Sequence, residues 1–345
     1  MRLARLAVAA LGAGIAGAGS GISGPTALLW PLPASHQLTN QLQPGAGGAG
    51  GSGFVEMDPA TFAFTSNLRG NDILAHNFDR YRRIVFAFNG SGSACADPAG
   101  SGPGSDSVSG PTTLGAPAPL IGGLAVTIAQ LSDPAPPLDE LTTLDESYAL
   151  TVSEEGANLN CTTVWGALRG LETFAQMVAM SGPRYLVRTG AITDRPRFSY
   201  RGLMLDTARH WFPVAFLLKT LDAMAQNKLN VFHWHLSDAE AFSVFVPSAP
   251  NLAAYSNEAR YTLDDVRAVV QHGRYRGIRV LPELDLPSHS WSWMKGYPEI
   301  TSSCPKVAVK GGLPVDPTSE ALYRLLENVV AELSVRMLAQ SGSNV

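Results

Sequence analysis

Cysteine is scarce and its number is odd: Cys95, Cys161 and Cys304 are the three in 345 residues. That excludes a disulfide-stapled mini-scaffold. In an oxidising compartment it leaves one thiol needing a partner in another chain or in sequence not present here. Charge is thin as well, with 16% Asp, Glu, Lys and Arg and a formal net charge of −4. Such a balance supplies no basic field for a phosphate backbone, which excludes nucleic acid as the main partner. Beyond residue 24 no apolar run approaches the roughly 18 residues that a spanning helix needs.

What the sequence does have is a core and many loops. Hydrophobic residues make up 45%, and 34 Gly and 24 Pro argue against a helical bundle. The length suits two domains, or one barrel with a small companion. Arg2 and Arg5 precede an apolar stretch from Leu6 to Ile15, and small residues follow through Ser23. This is the pattern of a secretory signal peptide over residues 1–24, a short membrane anchor being the alternative. Secretion gives meaning to two N-glycosylation sequons, Asn89-Gly90-Ser91 and Asn160-Cys161-Thr162.

After Trp30-Pro31-Leu32-Pro33 and a glycine-rich loop, Arg83 to Phe88 reads as a strand. Residues 89–123 are dominated by Gly, Ser, Pro and Ala and are expected to form a disordered insertion. Leu124 to Leu131 and Tyr148 to Val152 read as the next strands. Helical spacing of Val164, Ala167, Leu168, Leu171, Ala175 and Val178 predicts a helix from Thr163 to Met180, stopped by Gly182-Pro183. These elements suggest a small α+β domain over residues 27–192, with Pro196 in the linker.

From residue 197 to 345 strands and helices alternate. Gly202 to Asp206 is a buried-strand candidate, followed by a helix from Pro213; Asn230 to Leu236 is a second strand. Thr262-Leu263-Asp264-Asp265 resembles a capping box leading a helix that Gly277 closes, and Ile278 to Leu281 is the third strand. Thr318 or Ser319 caps a last helix striped by Leu322, Leu325, Leu326, Val329, Val330 and Leu333. Three βα units in a row imply a parallel sheet with right-handed crossovers, a barrel being favoured over an open sheet.

Polar residues at the C-terminal ends of parallel strands point into the active site of such folds. Here those ends carry Asp206 with Arg209, His235 with Asp238, and Glu283 with Asp285 and His289. Asp206 and Arg209 suit a structural ion pair as well as a site. Glu283 and Asp285 repel on one strand face unless one is paired, with His289 or Arg209 as partners. His233 and His235 face one side of a strand, so a metal-dependent barrel hydrolase using both is an alternative. Trp291 and Trp293 suit core packing or a flat platform for a sugar ring.

Four runs carry a family resemblance: TVWGALRGLETF from Thr163, RGLMLDTARH from Arg201, LDAMAQNKLNVFHWHL from Leu221 and GIRVLPELDLPSH from Gly277. They resemble the family 20 glycoside hydrolases, the lysosomal-type β-N-acetylhexosaminidases. The resemblance implies a (β/α)8 TIM barrel, of which the first three βα units are present, behind the small α+β domain. It implies that Arg209 holds the hydroxyls of the non-reducing sugar, its rigid fork reaching two adjacent oxygens. Asp238 and His289 become the dyad that supports the general acid.

The implied reaction releases terminal GlcNAc or GalNAc with retention, the substrate's acetamido oxygen serving as nucleophile. No cofactor or metal is implied. The implied partner is a glycan or chitin-oligomer substrate, with no nucleic acid, no membrane once the leader is removed, and a homodimer at full length. The location is secreted or lysosomal. In that family an Asp orients the acetamido group and the next Glu is the acid, both in a His-x-Gly-Gly-Asp-Glu motif. The 345 residues contain no such motif. The chain is therefore expected to be a truncated hexosaminidase that hydrolyses no better than background, a non-catalytic sugar-binding fragment being the alternative. Cys304 is implied to pair just beyond the motif; Ser288 and Ala239 stand where the family has Gly and Asp.

Overall fold

The computed structural model describes residues 29–38, 53–87, 118–132, 135, 144–303 and 313–337. The leader, Asn89, Cys95 and Cys304 lie outside these residues. Two compact units divide at Arg197/Phe198, the first also leaving out residues 136–144. Among the described residues no helix is long and apolar enough to cross a membrane.

The first unit contains β1 (Ser35–Leu38), β2 (Phe54–Met57), β3 (Ala63–Ser66), α1 (Asp72–Val85), β4 (Leu120–Ile121), β5 (Gly123–Ile128), β6 (Tyr148–Ser153), β7 (Gly156–Cys161), α2 (Val164–Gln176), β8 (Val178–Ser181), β9 (Arg184–Arg188) and β10 (Gly190–Asp194). A six-stranded sheet runs β1-β10-β6-β7-β5-β3, and a four-stranded one runs β4-β2-β9-β8. Strict alternation gives the larger sheet one apolar face. Leu124, Val126 and Ile128, then Leu150 and Val152, then Ala157, Leu159 and Cys161, are buried. α2 lies on this face. A side chain at Gly170 would collide with Leu159, and one at Gly166 with the Ser147 carbonyl, so both glycines let the helix approach closely.

Three expectations fail in this unit. Residues 83–85, expected in a strand, end α1. That helix is nucleated by Asn71, whose Oδ1 accepts from the Leu74 N–H at 2.9 Å, and it buries Ile73, Leu74, Asn77, Tyr81 and Val85 at helical spacing. Residues 118–123 of the expected insertion are ordered, with β4 pairing β2 in parallel. α2 ends at Gln176 rather than Met180. The β-branched Val178 opens a hairpin instead, and Gly182 (φ +58°) with Pro183 forms its turn.

The second unit contains β11 (Gly202–Asp206), α3 (Val214–Gln226), β12 (Val231–Ser237), α4 (Leu263–Arg274), β13 (Arg279–Leu284), the short α5 (Trp291–Met294) and α6 (Glu320–Met337). Thr262 caps α4 with a reciprocal box: its Oγ1 accepts from Asp265 N–H at 3.1 Å while Asp265 Oδ2 accepts from Thr262 N–H at 2.8 Å. Ser319 Oγ accepts from Leu322 N–H at the start of α6. β11, β12 and β13 are parallel and adjacent in that order. Leu217 and Leu221 of α3, Val266, Val269 and Val270 of α4, and Leu325, Val329 and Leu333 of α6 share one core with Phe232, Trp234 and Val280.

β11 is not the buried strand that was expected. Leu203 and Met204, on opposite faces of the strand, are 40% and 54% exposed, because β11 is an edge strand with β12 as its one neighbour among the described residues. Val330 of the expected α6 stripe is likewise 52% exposed.

Candidate active site at the strand ends

Parallel register does the first part of the assembly. Asp206, His235 and Glu283 are direct cross-strand partners on β11, β12 and β13, so the three groups form one row at the sheet's C-terminal edge. Just beyond β11, Asp206 Oδ1 accepts the N–H groups of Ala208 and Arg209 at 3.0 and 2.9 Å. That turn folds the Arg209 side chain back across the row. Its Nη1 donates to Asp206 Oδ2 at 2.6 Å and its Nη2 pairs with Asp238 Oδ2 at 2.6 Å. Glu240 stands 3.9 Å from Nε.

Asp238 is the hub. It is 1% exposed, and its carboxylate meets Arg209, His235 Nε2 at 3.0 Å, His289 Nδ1 at 3.1 Å and its neighbour Ala239 N–H at 2.6 Å. Its backbone is fixed too: Ser292 Oγ of α5 donates to the Asp238 carbonyl at 2.6 Å, and Asp238 N–H donates to Ala241 O. His289 reaches the hub from a left-handed backbone, φ +55°, which a non-glycine residue adopts only when its surroundings hold it there.

Behind the hub lies a further layer. His235 Nδ1 and His233 Nε2 converge on Glu283 Oε2 at 2.8 and 2.6 Å. The expected pairing of Glu283 with His289 or Arg209 is therefore replaced by pairing with the two histidines of β12, to which the Glu283 side chain turns along its row. Both ring nitrogens of His235 face carboxylates, and only the imidazolium can donate from both.

Charge follows geometry. Burial pushes the His235 pKa down, but the hydrogen bonds to Glu283 and Asp238 and the nearby negative charges outweigh it, and the net direction is up. Burial would raise Asp238, yet the Ala239 N–H, His235, His289 and Arg209 hold it below the usual carboxylate range. Glu283 is lowered chiefly by the His235 hydrogen bond. Asp206 is lowered against its burial by the Arg209 and Ala208 contacts.

The carboxylates stabilise the fold above their ordinary values of about 4 and lose that contribution as pH falls through their lowered values. His235 does the reverse: its contribution is full below about 6.5 and is lost as pH rises through its raised value. Thermal unfolding midpoints should therefore form a plateau between these limits. Glu283→Gln should pull its alkaline edge to lower pH, and an unmoved edge would mean that Glu283 does not hold the imidazolium.

The groups of Asp206, His235 and Asp238, and of Asp238, Asp285 and His289, lie close enough to ligate a metal. The guanidinium already bridges Asp206 and Asp238, supplying the positive charge that a metal would bring. The metal alternative paired His233 with His235, but their nitrogens converge on Glu283 and His233 belongs to neither ligand set. Trp293 is core, fully buried and edge-on to Phe242 at 5.0 Å. Trp291 stays 44% exposed, with the Lys295 ammonium 5.3 Å above its ring. The geometry brings Arg209, Asp238 and His289 together, the three residues singled out in the sequence. Tyr255 was not foreseen: its hydroxyl donates to the Arg209 carbonyl at 2.8 Å from a loop whose sequence carries no periodic signal.

Comparison with known proteins fits this arrangement. Residues 198–341 match the family described as glycosyl hydrolase family 20, catalytic domain, and residues 29–177 match the one described as beta-acetyl hexosaminidase like. The human beta-hexosaminidase subunit beta is 46% identical over 198 residues, 55% of this chain and 35% of the human one. The Flavobacterium johnsoniae chitobiase structure superposes with a TM-score of 0.67 at 26% identity, covering 90% of this chain and 43% of that one. An exo beta-N-acetylglucosaminidase from Vibrio harveyi, solved with N-acetylglucosamine, shares the fold with a TM-score of 0.64 at 22% identity, covering 90% and 45%. Parallel strands ending in a guanidinium, carboxylates and imidazoles thus lie within the segment, residues 198–341, that matches the glycosyl hydrolase family 20 catalytic domain. The chain belongs to glycosyl hydrolase family 20. Its match spans about a third of the length of the curated relatives.

Proposed function

We propose that these residues form the sugar-holding part of a β-N-acetylhexosaminidase that acts on terminal N-acetylhexosamine of glycans or chitin oligomers. The supporting observation is the convergence of Arg209 and His289, from beyond the ends of β11 and β13, on the Asp238 carboxylate beyond β12. In this reading β11 to β13 with α3, α4 and α6 are the first three units of a (β/α)8 barrel, and residues 29–192 form the domain that precedes it. Residues 1–24 direct the chain into the secretory route.

Arg209 donates to adjacent sugar hydroxyls from a fork whose orientation Asp206 and Asp238 fix. His289 donates from Nδ1 to Asp238, which leaves Nε2 as the atom that meets the acid. The general acid and the acetamido-orienting carboxylate belong to a motif that these 345 residues lack. The chain by itself should therefore bind N-acetylglucosamine weakly and cleave an aryl β-N-acetylglucosaminide at background rate, since loss of a general acid alone costs about 10²–10⁴-fold. Titration with N-acetylglucosamine, followed by protein NMR, should show binding that Arg209→Ala removes. Equal binding by the variant, or turnover well above background, would overturn the assignment.

A further inference from the structure

We propose that Asn160 is an N-glycosylation site and that its oligosaccharide lies over the uncharged face of the six-stranded sheet. The inference uses the secretory route proposed above, but the site itself rests on separate observations. Asn160 is the last outward-facing residue of β7, a strand inside the sheet between β6 and β5. It is exposed, and the sequon is completed by Thr162 where the strand has ended. The middle residue, Cys161, points to the opposite face, as alternation requires. There it is buried with its thiol on the Thr127 carbonyl at 3.6 Å, and burial raises that thiol to about 12. It stays protonated and away from the acceptor amide.

The surroundings are unusual for a solvent-facing sheet. Across Asn160 the row reads Thr193, Ala149, Asn160, Thr127, and the next contains Thr151, Asn158 and Ala125. At the outward positions of these six strands, all within the described residues, stand only Ala, Gly, Ser, Thr, Asn and Gln. Not one is charged and not one is bulky. Small neighbours leave room for the first sugars of a glycan. A flat face without charge also lacks the repulsion by which sheet surfaces avoid one another, and a hydrated oligosaccharide planted at the end of an inner strand supplies that barrier sterically.

In the transfer step, the Asn160 side-chain nitrogen bonds to C1 of an oligosaccharide carried on a polyprenyl pyrophosphate. The C1–O bond to the carrier breaks, the pyrophosphate leaves with the bonding electrons, and the amide gives up one proton to a base of the transferring enzyme.

Translation of the full chain with microsomes tests this, because transfer occurs on the entering chain and does not depend on a stable final fold. The wild type should show an endoglycosidase-sensitive step in electrophoretic mass that Asn160→Gln and Thr162→Ala each remove, whatever Asn89→Gln does. A wild type that carries glycan but loses none of it in Asn160→Gln would overturn the site. A parallel arm places the chain behind a reference secretion signal. Modification of Asn160 in that arm alone would overturn the secretory reading of residues 1–24 and leave the site standing; absence in both arms would overturn the site.

Discussion

Asp238→Ala is expected to be the most damaging single change in the second unit, weakening both the fold and any sugar binding. The carboxylate is buried and faces Arg209, His235 and His289 at 2.6–3.1 Å. Its removal leaves the buried His235 without one of its two acceptors and frees the guanidinium from the contact that aims it. Breaking a buried charge pair from one side costs roughly 3–5 kcal/mol. Because Arg209 and His289 retain access to water, the low end, about 3 kcal/mol, is the expected loss in urea unfolding. Binding of N-acetylglucosamine should fall by at least about tenfold, equivalent to about 1.4 kcal/mol. Asp238→Asn separates shape from charge: it keeps an acceptor oxygen but cannot hold His235 as imidazolium, so the His235 ring should titrate at lower pH in NMR. A loss below about 1 kcal/mol for Asp238→Ala would show that water replaces the carboxylate and that the hub is not a hub.

The part of this site that was legible in the sequence is the part carried by strand ends. Parallel register converts three short runs into neighbours, so Asp206, His235 and Glu283 could be placed at one edge from periodicity alone. Arg209, Asp238 and His289 sit three, one and five residues beyond their strand ends, and it was the family resemblance that joined them. What could not be read was the second layer. Whether Glu283 turns to His289 or to His235 depends on side-chain direction within the row, which spacing does not encode, and the structure turns it to His235 and His233. The same limit explains the helix that was missed before Val85. Its buried face includes Asn77 and Arg80, so a pattern search that counts apolar residues sees only a polar stretch with a short apolar tail. The exposure of β11 was hidden for another reason. Leu203 and Met204 have the composition of a buried strand, and composition does not say whether a covering element is present.

The first unit offers the second large effect, at a pair with no bearing on sugar chemistry. Arg169 of α2 meets Glu146, just ahead of β6, through Nε and Nη2 on the same carboxylate oxygen at 2.8 Å each. The two side chains are 4% and 2% exposed, so neither charge has solvent to fall back on. Arg169→Met should cost about 3–5 kcal/mol in urea unfolding, because it takes the guanidinium from a buried carboxylate beneath a helix held close to the sheet by Gly166 and Gly170. Glu146→Leu should cost a similar amount by taking the carboxylate from the buried guanidinium. The double variant should recover most of either loss, since two apolar side chains of matched volume replace an ion pair at little or no net cost. A double-mutant cycle therefore should return a coupling of several kcal/mol, far above the about 0–1 kcal/mol of a surface pair. If the two single losses simply add, the two charges do not act as a coupled pair, and the compensation comes from the polar groups that surround them.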